Sequence, residues 1–411
     1  MEGCILDKTL LVIGGGIESI PGLKYAKNLG INTVVSDIDP NAPCFELADY
    51  KLIVSTYDFN KTYELAKDFN DKIKKIDGVI SFAADIPYTV SFVSNKLNLI
   101  SNTLDTAKLS SNKFLMKEVL KKKQIPIPQF WRIETYLQLK NIIKNYGLPL
   151  VIKPLDGRGA RGVLLIKKES DSLEFYQKSL SFSKDKNLIV EQFLDGQQIS
   201  TEALIVNGVG YPIGFCDRNY EFLNTYYPFI IENGGDMPTS LNLNDKNLVA
   251  KTAIDAGLAM GVENGVVKGD MVLTKDGPKV IEIATRLSGG WFSSDQIPIN
   301  TGVNIVEFAI KISLDIKFDI SEIIPNQDNG VAIRYFFPRE GKVIRIENLN
   351  ILENKDYIYK FQLFVKEGDT IAKITDHTKR AGYVITIGKN KNEAVRRAKE
   401  IINSIKIITK N

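Results

Sequence analysis

The sequence predicts an α/β protein with a parallel-sheet domain first, a mixed centre, and a small β-rich domain last. Three observations predict it. Before about residue 100, short apolar strands alternate with helical segments, and β-α-β alternation makes a parallel sheet with helices on its faces. Between Leu150 and Leu287, apolar strands run into glycine-rich turns that carry spaced charges. Beyond about Pro325, short strands and glycine turns take over, and one amphipathic helix closes the pattern. At 411 residues the chain exceeds one ordinary core, so two or three domains are expected.

The elements follow in order. Lys8 to Ile13 is a strand that ends at Gly14-Gly15-Gly16, followed by a helix from about Pro21 to Leu29. Ile31 to Asp37 is a second strand, and Tyr50–Val54 and Asp77–Phe82 are strands on either side of a helix over Phe59–Asn70. The opening glycines come near a dinucleotide fingerprint, with Asp37 close to the spacing of a ribose-binding acid. Ser19, however, stands where the third glycine belongs. The turn remains a candidate anion site at a helix N-terminus. Asn112–Lys122 reads as a helix, stopped by Pro126 and Pro128. Leu150–Pro154, Val163–Ile166, Leu188–Leu194 and Gln198–Val206 are extended, and Asn247–Met260 is an amphipathic helix. The last region offers strands at Val331–Phe336, Lys342–Ile346, Tyr357–Val365, Thr370–Ile374 and Tyr383–Gly388. Its helix, about Lys391 to Ile405, starts at a capping-box pattern of Asn390 and Glu393 and carries Ala394, Ala398, Ile401 and Ile405 as a buried stripe.

Composition narrows the function. With 44% hydrophobic and 25% charged residues the chain is globular, and a net charge of +4 spread along it gives no reason to expect nucleic acid. Lys121-Lys122-Lys123 reads as a solvated helix end. Cys4, Cys44 and Cys216 match no metal spacing and read as buried small hydrophobes. The single histidine, His377, excludes His-rich metal sites and argues against a Ser-His-Asp hydrolase. No signal peptide precedes Leu10, and no apolar run approaches the roughly 20 residues that span a bilayer. A cytoplasmic protein without a membrane partner is expected.

The most informative run is Val280-Ile281-Glu282-Ile283-Ala284-Thr285-Arg286-Leu287-Ser288-Gly289-Gly290. An apolar strand sets a carboxylate and then a guanidinium before a glycine turn. Upstream, Asp270 lies in the apolar segment Val266–Val272, and the stretch between reads as a β-hairpin. A three-residue loop, Lys275-Asp276-Gly277, pairs Thr274 with Pro278 and so Asp270 with Glu282. Period-two alternation puts both carboxylates on one face. They repel unless a cation sits between them, and oxygen-only ligands near phosphates favour Mg²⁺. Arg286 would then stabilise phosphoryl charge. Taken alone, a surface hairpin with scattered charges accounts for the same residues.

Leu155 to Gly162 sets three glycines and two arginines between two strands, as a loop lying over a polyphosphate would. It lacks the Gly-Lys-Ser/Thr ending of a Walker loop. Lys153 ends the preceding strand within reach of a phosphate. A mobile hairpin loop is the plainer reading. Glu191 to Leu194 suits an adenine-contacting hinge or a buried strand, and Gln198 and Glu202 present polar groups on the strand that follows.

In order, the chain presents a helix lysine (Lys113), a strand lysine (Lys153), a glycine loop, Glu191-x-x-Leu194, and a carboxylate hairpin ending in Arg286. This series strongly resembles the ATP-grasp superfamily, over about Leu10 to Asp315. The resemblance implies a pre-ATP-grasp domain at 1–108, a two-lobed ATP-grasp domain at 109–325 with its lid lobe at about 125–195, and a C-terminal α+β domain at 326–411. It implies ATP, with Lys113 and Lys153 on the phosphates and Gly157, Arg158, Gly159, Ala160 and Gly162 in the lid. Glu191, Phe193 and Leu194 would meet the adenine, and Gln198 stands where a ribose-contacting acid is usual. Asp270 and Glu282 would hold Mg²⁺, with Mn²⁺ as the alternative, and Arg286 and Lys153 would be catalytic. Ala284 departs from the family's Glu-x-Asn-x-Arg and removes one expected metal ligand.

Val331–Gly341 and Lys379–Gly388 are similar to the C-terminal domain of bacterial L-amino-acid ligases and, more distantly, of biotin carboxylase. Ile230–Pro238 also looks like the amino-acid-ligase pattern. This likeness implies a carboxylate–amine ligase acting through an acyl phosphate on small, amino-acid-like acids and amines. Dimers are common in these families, so a homodimer is among the expectations. Glu232, Arg334 and Trp291 are candidate substrate residues, against plainer readings as a loop charge, a sheet-edge charge and a packing tryptophan. Three other classes stay open: a carboxylase-like enzyme that phosphorylates bicarbonate, a nucleotide-binding regulatory protein, and an NAD-linked oxidoreductase.

Overall fold

In a computed structural model, described over residues 7–157, 159–353 and 355–410, the N-terminal strands form a parallel sheet in the order Tyr50–Ile53, Asn32–Asp37, Thr9–Ile13, Gly78–Ile80. Every residue of Thr9–Ile13 is buried, as a parallel sheet covered by helices on both faces requires. The glycine turn after that strand closes on itself. Gly15 N–H donates to Asp37 Oδ2 at 2.8 Å and Asp39 N–H to Oδ1 at 3.0 Å. The acid that a nicotinamide dinucleotide would need for its ribose is thus taken by its own turn. Cys44 and Cys216 are buried free thiols, as expected, and Cys4 lies outside the described residues.

A second, antiparallel sheet has the order Phe130–Ile133, Leu188–Gln192, Leu150–Pro154, Leu164–Ile166. Helices Tyr136–Tyr146 and Ser172–Ser181 back it, and Leu139, Ile143 and Phe175 share one core with Leu150, Ile152 and Val190. Thr135 and Gln138 form the capping box that starts the first of these helices.

The largest sheet has eight strands: Gly277–Ala284, Gly265–Thr274, Gln197–Val206, Val209–Asn219, Gly234–Met237, Gly330–Tyr335, Gly382–Gly388, Ile358–Leu363. All its pairs are antiparallel. It runs from the carboxylate hairpin straight through residue 325 into the C-terminal region. Helix Lys391–Ser404 lays Ala394, Ala398 and Ile401 against Ala332 and Val384 of this sheet. A three-stranded sheet, Thr370–Ile371, Gly341–Glu347 and Lys406–Lys410, completes that region. Among the described residues no helix is long and apolar enough to cross a membrane.

The hairpin reaches its expected pairing by an unexpected route. Its turn is one residue shorter than the sequence suggests: Thr274 pairs with Gly277 and Leu273 with Pro278. That register would set Asp270 opposite Ile281. A bulge follows Met271↔Val280, leaves Ile281 unpaired, and restores Asp270↔Glu282. Bulges of this kind re-aim side chains beside functional sites.

One glycine is dictated by the continuous sheet. Gly234 has φ +125°, and a Cβ there would lie 2.0 Å from the carbonyl oxygen of Ile333 on the next strand. Gly234→Ala is therefore expected to lower unfolding free energy by about 2–4 kcal/mol, through backbone strain and the clash together. Chemical denaturation of the two proteins measures it.

Candidate active site

A cleft of about 540 Å³ opens where the parallel sheet, the four-stranded antiparallel sheet and the eight-stranded sheet meet. The parallel-sheet region contributes Glu18 and Asp85, the four-stranded lobe Lys153, Glu191 and the glycine loop, and the C-terminal region Tyr335, His377 and Arg380. The carboxylate hairpin forms the floor.

Lys113 begins helix Lys113–Lys122, whose N-cap is the Asn112 side chain, accepting from the N–H groups of Phe114 and Leu115. Its Nζ lies 3.2 Å from Glu282 Oε1 and donates to the Gly157 carbonyl at 3.1 Å, so one ammonium ties the hairpin to the glycine loop. Lys153 reaches Glu191 Oε1 at 2.9 Å, and Lys117 approaches the same oxygen at 3.3 Å. Lys117 also donates to the Ile281 carbonyl at 2.9 Å. It is almost fully buried, and burial pulls its ammonium down to about 8. Burial alone would raise the Glu191 carboxyl. The two lysines outweigh burial and hold it below its ordinary value.

Asp270 is flanked by cations. Arg218 Nη1 lies 2.8 Å and Lys268 Nζ 2.5 Å from its carboxylate. Burial opposes its ionisation, but these cations hold it well below the usual carboxylate range. Lys268 sits directly across from Ala284 in the ladder, on the face shared by Asp270 and Glu282. Arg218 also bonds Glu232, with Nε at 2.8 Å and Nη2 at 2.5 Å from Oε2. Arg380 Nη2 donates to the Glu232 carbonyl at 2.7 Å, and its guanidinium lies 3.7 Å from the Tyr335 ring centre. Against its burial, Arg218 and Arg380 bring Glu232 down to about 2. Glu232 N–H donates to His377 Nε2 at 3.3 Å. Burial, with Arg380 beside it, lowers His377 to about 3, so it is neutral at ordinary pH. Arg286 Nε meets Asp85 Oδ1 at 3.2 Å.

The cleft thus brings together Lys113, Lys153, Gly157, Gly159, Ala160, Glu191, Phe193, Leu194, Gln198, Asp270, Glu282, Arg286 and Glu232 from the residues singled out by sequence. Phe193 N–H donates to the Pro149 carbonyl at 3.3 Å. Arg158 lies outside the described residues, and Gly162 is not among the cleft's lining. Two substrate candidates are corrected. Arg334 is 2% exposed and turned away, bound through both terminal nitrogens to Asp236 at 2.6 and 3.0 Å; its neighbours Ile333 and Tyr335 line the cleft instead. Alternation along the strand sends Arg334 to the other face. Trp291 is buried behind the cleft wall, beside the Tyr383 ring at 5.4 Å and under Lys360 Nζ at 4.0 Å.

Other residues carried a signal that went unused. Lys117 is one helical turn from Lys113, and Lys268 is two residues from Asp270 on its strand face. Glu18, Asp85 and Arg380 carry none, since only folding brings them here. Two carboxylates without a third acid, histidine or cysteine form no closed metal cage among the described residues. The pair nonetheless fits Mg²⁺, which takes one or two carboxylates and completes its shell with water and phosphate oxygens.

Glu202 is buried, 1% exposed, beneath the turn after Arg286. It accepts from Ser288 N–H at 2.9 Å and Ser293 Oγ at 2.7 Å, and burial raises it to about 7. Because its folded value exceeds its ordinary 4.5, its stabilising protonation is complete below pH 4.5 and lost as pH rises through 7. Relative to Glu202→Gln, the protein is expected to lose about 3 kcal/mol of stability between pH 5 and 8. Urea unfolding at several pH values measures this, and parallel curves would refute it.

Residues 110–290 match the ATP-grasp domain, and residues 334–410 match the L-amino acid ligase C-terminal domain 2. The phosphoribosylamine–glycine ligase of Pyrococcus furiosus is 23% identical over 97% of this chain and 92% of its own. The D-alanine–D-alanine ligase of Bordetella avium is 26% identical over 58% of this chain and 74% of its own. The crystal structure of the L-amino acid ligase from Bacillus licheniformis superposes with a TM-score of 0.83 at 20% identity, over 98% of this chain and 99% of that one. The chain thus carries an ATP-grasp domain and, after it, an L-amino acid ligase C-terminal domain, in a fold shared with the L-amino acid ligase structure.

Proposed function

We propose that the protein joins the carboxylate of a small, amino-acid-like acid to an amine at the expense of ATP, through an acyl phosphate. One observation carries the reading. Asp270 and Glu282 face each other across the hairpin, and Arg286 follows on the same chain, opposite two lysines and a glycine loop. Lys113 and Lys153 hold the triphosphate, and the glycine loop closes over it with backbone N–H groups. Leu194 and Glu191 border the adenine. Asp270 and Glu282 would hold Mg²⁺, which would supply charge neutralisation on the phosphate oxygens. Lys268, the cross-strand partner of Ala284, sets an ammonium against Asp270 beside the position where the family carries a further metal ligand.

The acid's carboxylate oxygen attacks the γ-phosphorus, the bond to the β-phosphate bridge breaks, and ADP leaves. Arg286 and Arg218 stabilise the charge on the transferring group by position. The amine nitrogen then attacks the acyl carbon, phosphate departs, and the nitrogen loses a proton. The closed loop excludes the water that would hydrolyse the intermediate.

Phosphate release from MgATP, measured with amino acids singly and in pairs and with bicarbonate as a separate arm, tests the reading. Release that requires one acid and one amine, with a mass-identified amide, supports it. Release with bicarbonate alone overturns it in favour of a carboxylase-like reaction. Glu282→Gln is expected to reduce turnover by about a thousandfold while the fold persists. Arg286→Lys is expected to lower kcat by about 10²–10³ with little change in the KM for ATP, since a transition-state contact is lost.

A further inference from the structure

Where the parallel-sheet region meets the turn after Arg286, the cleft wall holds three oxygen acceptors, one from the N-terminal glycine turn and two from the segment after Arg286. Glu18 accepts from Gly290 N–H through Oε2 at 2.9 Å, and this is its one hydrogen bond among the described residues. The approach is close: a Cβ at Gly289 would lie 2.6 Å from the same oxygen. Ser288 and Gln296 are 8% and 2% exposed, and Ser288 Oγ and Gln296 Oε1 are buried with no hydrogen-bond partner. Both residues line the cleft, as does Glu18. Their positions are fixed from behind. Ser288 N–H is held by Glu202, and Gln296 Nε2 donates to the Gly290 carbonyl at 3.2 Å.

Buried acceptors without partners are unfavourable and call for a donor. A primary ammonium has three donors and no acceptor. One carboxylate, one amide oxygen and one hydroxyl match that number and supply the opposite charge. An anionic group would be repelled by Glu18. We propose that Glu18, Ser288 and Gln296 form the subsite for the ammonium group of an amino-acid substrate, an inference that rests on the ligase reading for placing such a substrate in this cleft. A carboxylate beside an ammonium keeps it protonated and non-nucleophilic. The group held here therefore belongs to the amino acid whose carboxylate is activated, and not to the attacking amine.

Isothermal titration in the presence of Mg²⁺ and a non-hydrolysable ATP analogue tests this without turnover. The probes are the twenty common amino acids and their des-amino counterparts, such as alanine against propionate. At least one amino acid is expected to bind, with its des-amino counterpart about tenfold weaker or more. Glu18→Gln is expected to weaken the amino acid by about ten- to a hundredfold and to leave the des-amino acid unchanged. Ser288→Ala is expected to act in the same sense by a smaller factor. Thermal melting checks that each variant folds, and if Glu18→Gln does not, Ser288→Ala carries the comparison. Binding of no amino acid, equal binding of the two probe classes, or equal weakening of both by Glu18→Gln would overturn the proposal. The last outcome would confine Glu18 to holding Gly290. Amide formation is read separately. Ammonium-dependent binding without any amide removes the ligase reading and keeps the subsite, whereas amide formed only from acids lacking an ammonium does the reverse.

Discussion

Two carboxylates on one face of a hairpin repel each other, and the whole cleft is arranged around that repulsion. Asp270 is neutralised by Arg218 and Lys268, and Glu282 by Lys113. Arg218 extends the pattern to Glu232, which Arg380 meets from the far side. Charges of opposite sign alternate along the cleft, so each ion is partly buried at tolerable cost because a counter-ion accompanies it. The same arrangement is poised for exchange. In the proposed reaction, a cation entering between Asp270 and Glu282 would replace interactions that Lys113, Lys268 and Arg218 now supply and would free those groups for phosphate oxygens.

This alternation needs side chains from distant segments held to within a few tenths of an ångström, and the eight-stranded sheet provides that. Its strands carry Asp270, Glu282 and Arg218 on one half and Tyr335 on the other. The loop before Gly382–Gly388 brings His377 and Arg380 back over Glu232. The His377 backbone N–H donates to the Gly159 carbonyl at 3.2 Å, so the C-terminal region also touches the glycine loop. The C-terminal region is therefore part of the cleft's wall rather than an appendage to it.

How much of this was legible varies with the range of the forces involved. The parallel sheet, the amphipathic helices and most strand positions follow from apolar periodicity, which records local burial. The hairpin's outcome was legible although its turn was not. A shorter turn shifted the register, and the bulge at Ile281 shifted it back, because the sheet and Lys117 fix Glu282 independently of the turn. Strand Phe130–Ile133 and helix Tyr136–Tyr146 lay unread behind two prolines that mark the end of the preceding helix. Arg380, in a turn with no regular spacing, reaches the cleft, whereas pairing with Asp236 turns the strand residue Arg334 away.

The sequence by itself determined the chemistry on offer. Spacing along one strand or helix placed Asp270, Glu282 and Arg286 together and set Lys153 before a glycine loop, because period and handedness are properties of the backbone. Only the tertiary structure decided which groups surround them. Glu18, Asp85, Glu202, Tyr335, His377 and Arg380 enter the site or its support from segments with no regular spacing to it. Their selection rests on packing and on the pairing of charges removed from water, and those interactions exist only once the chain has folded.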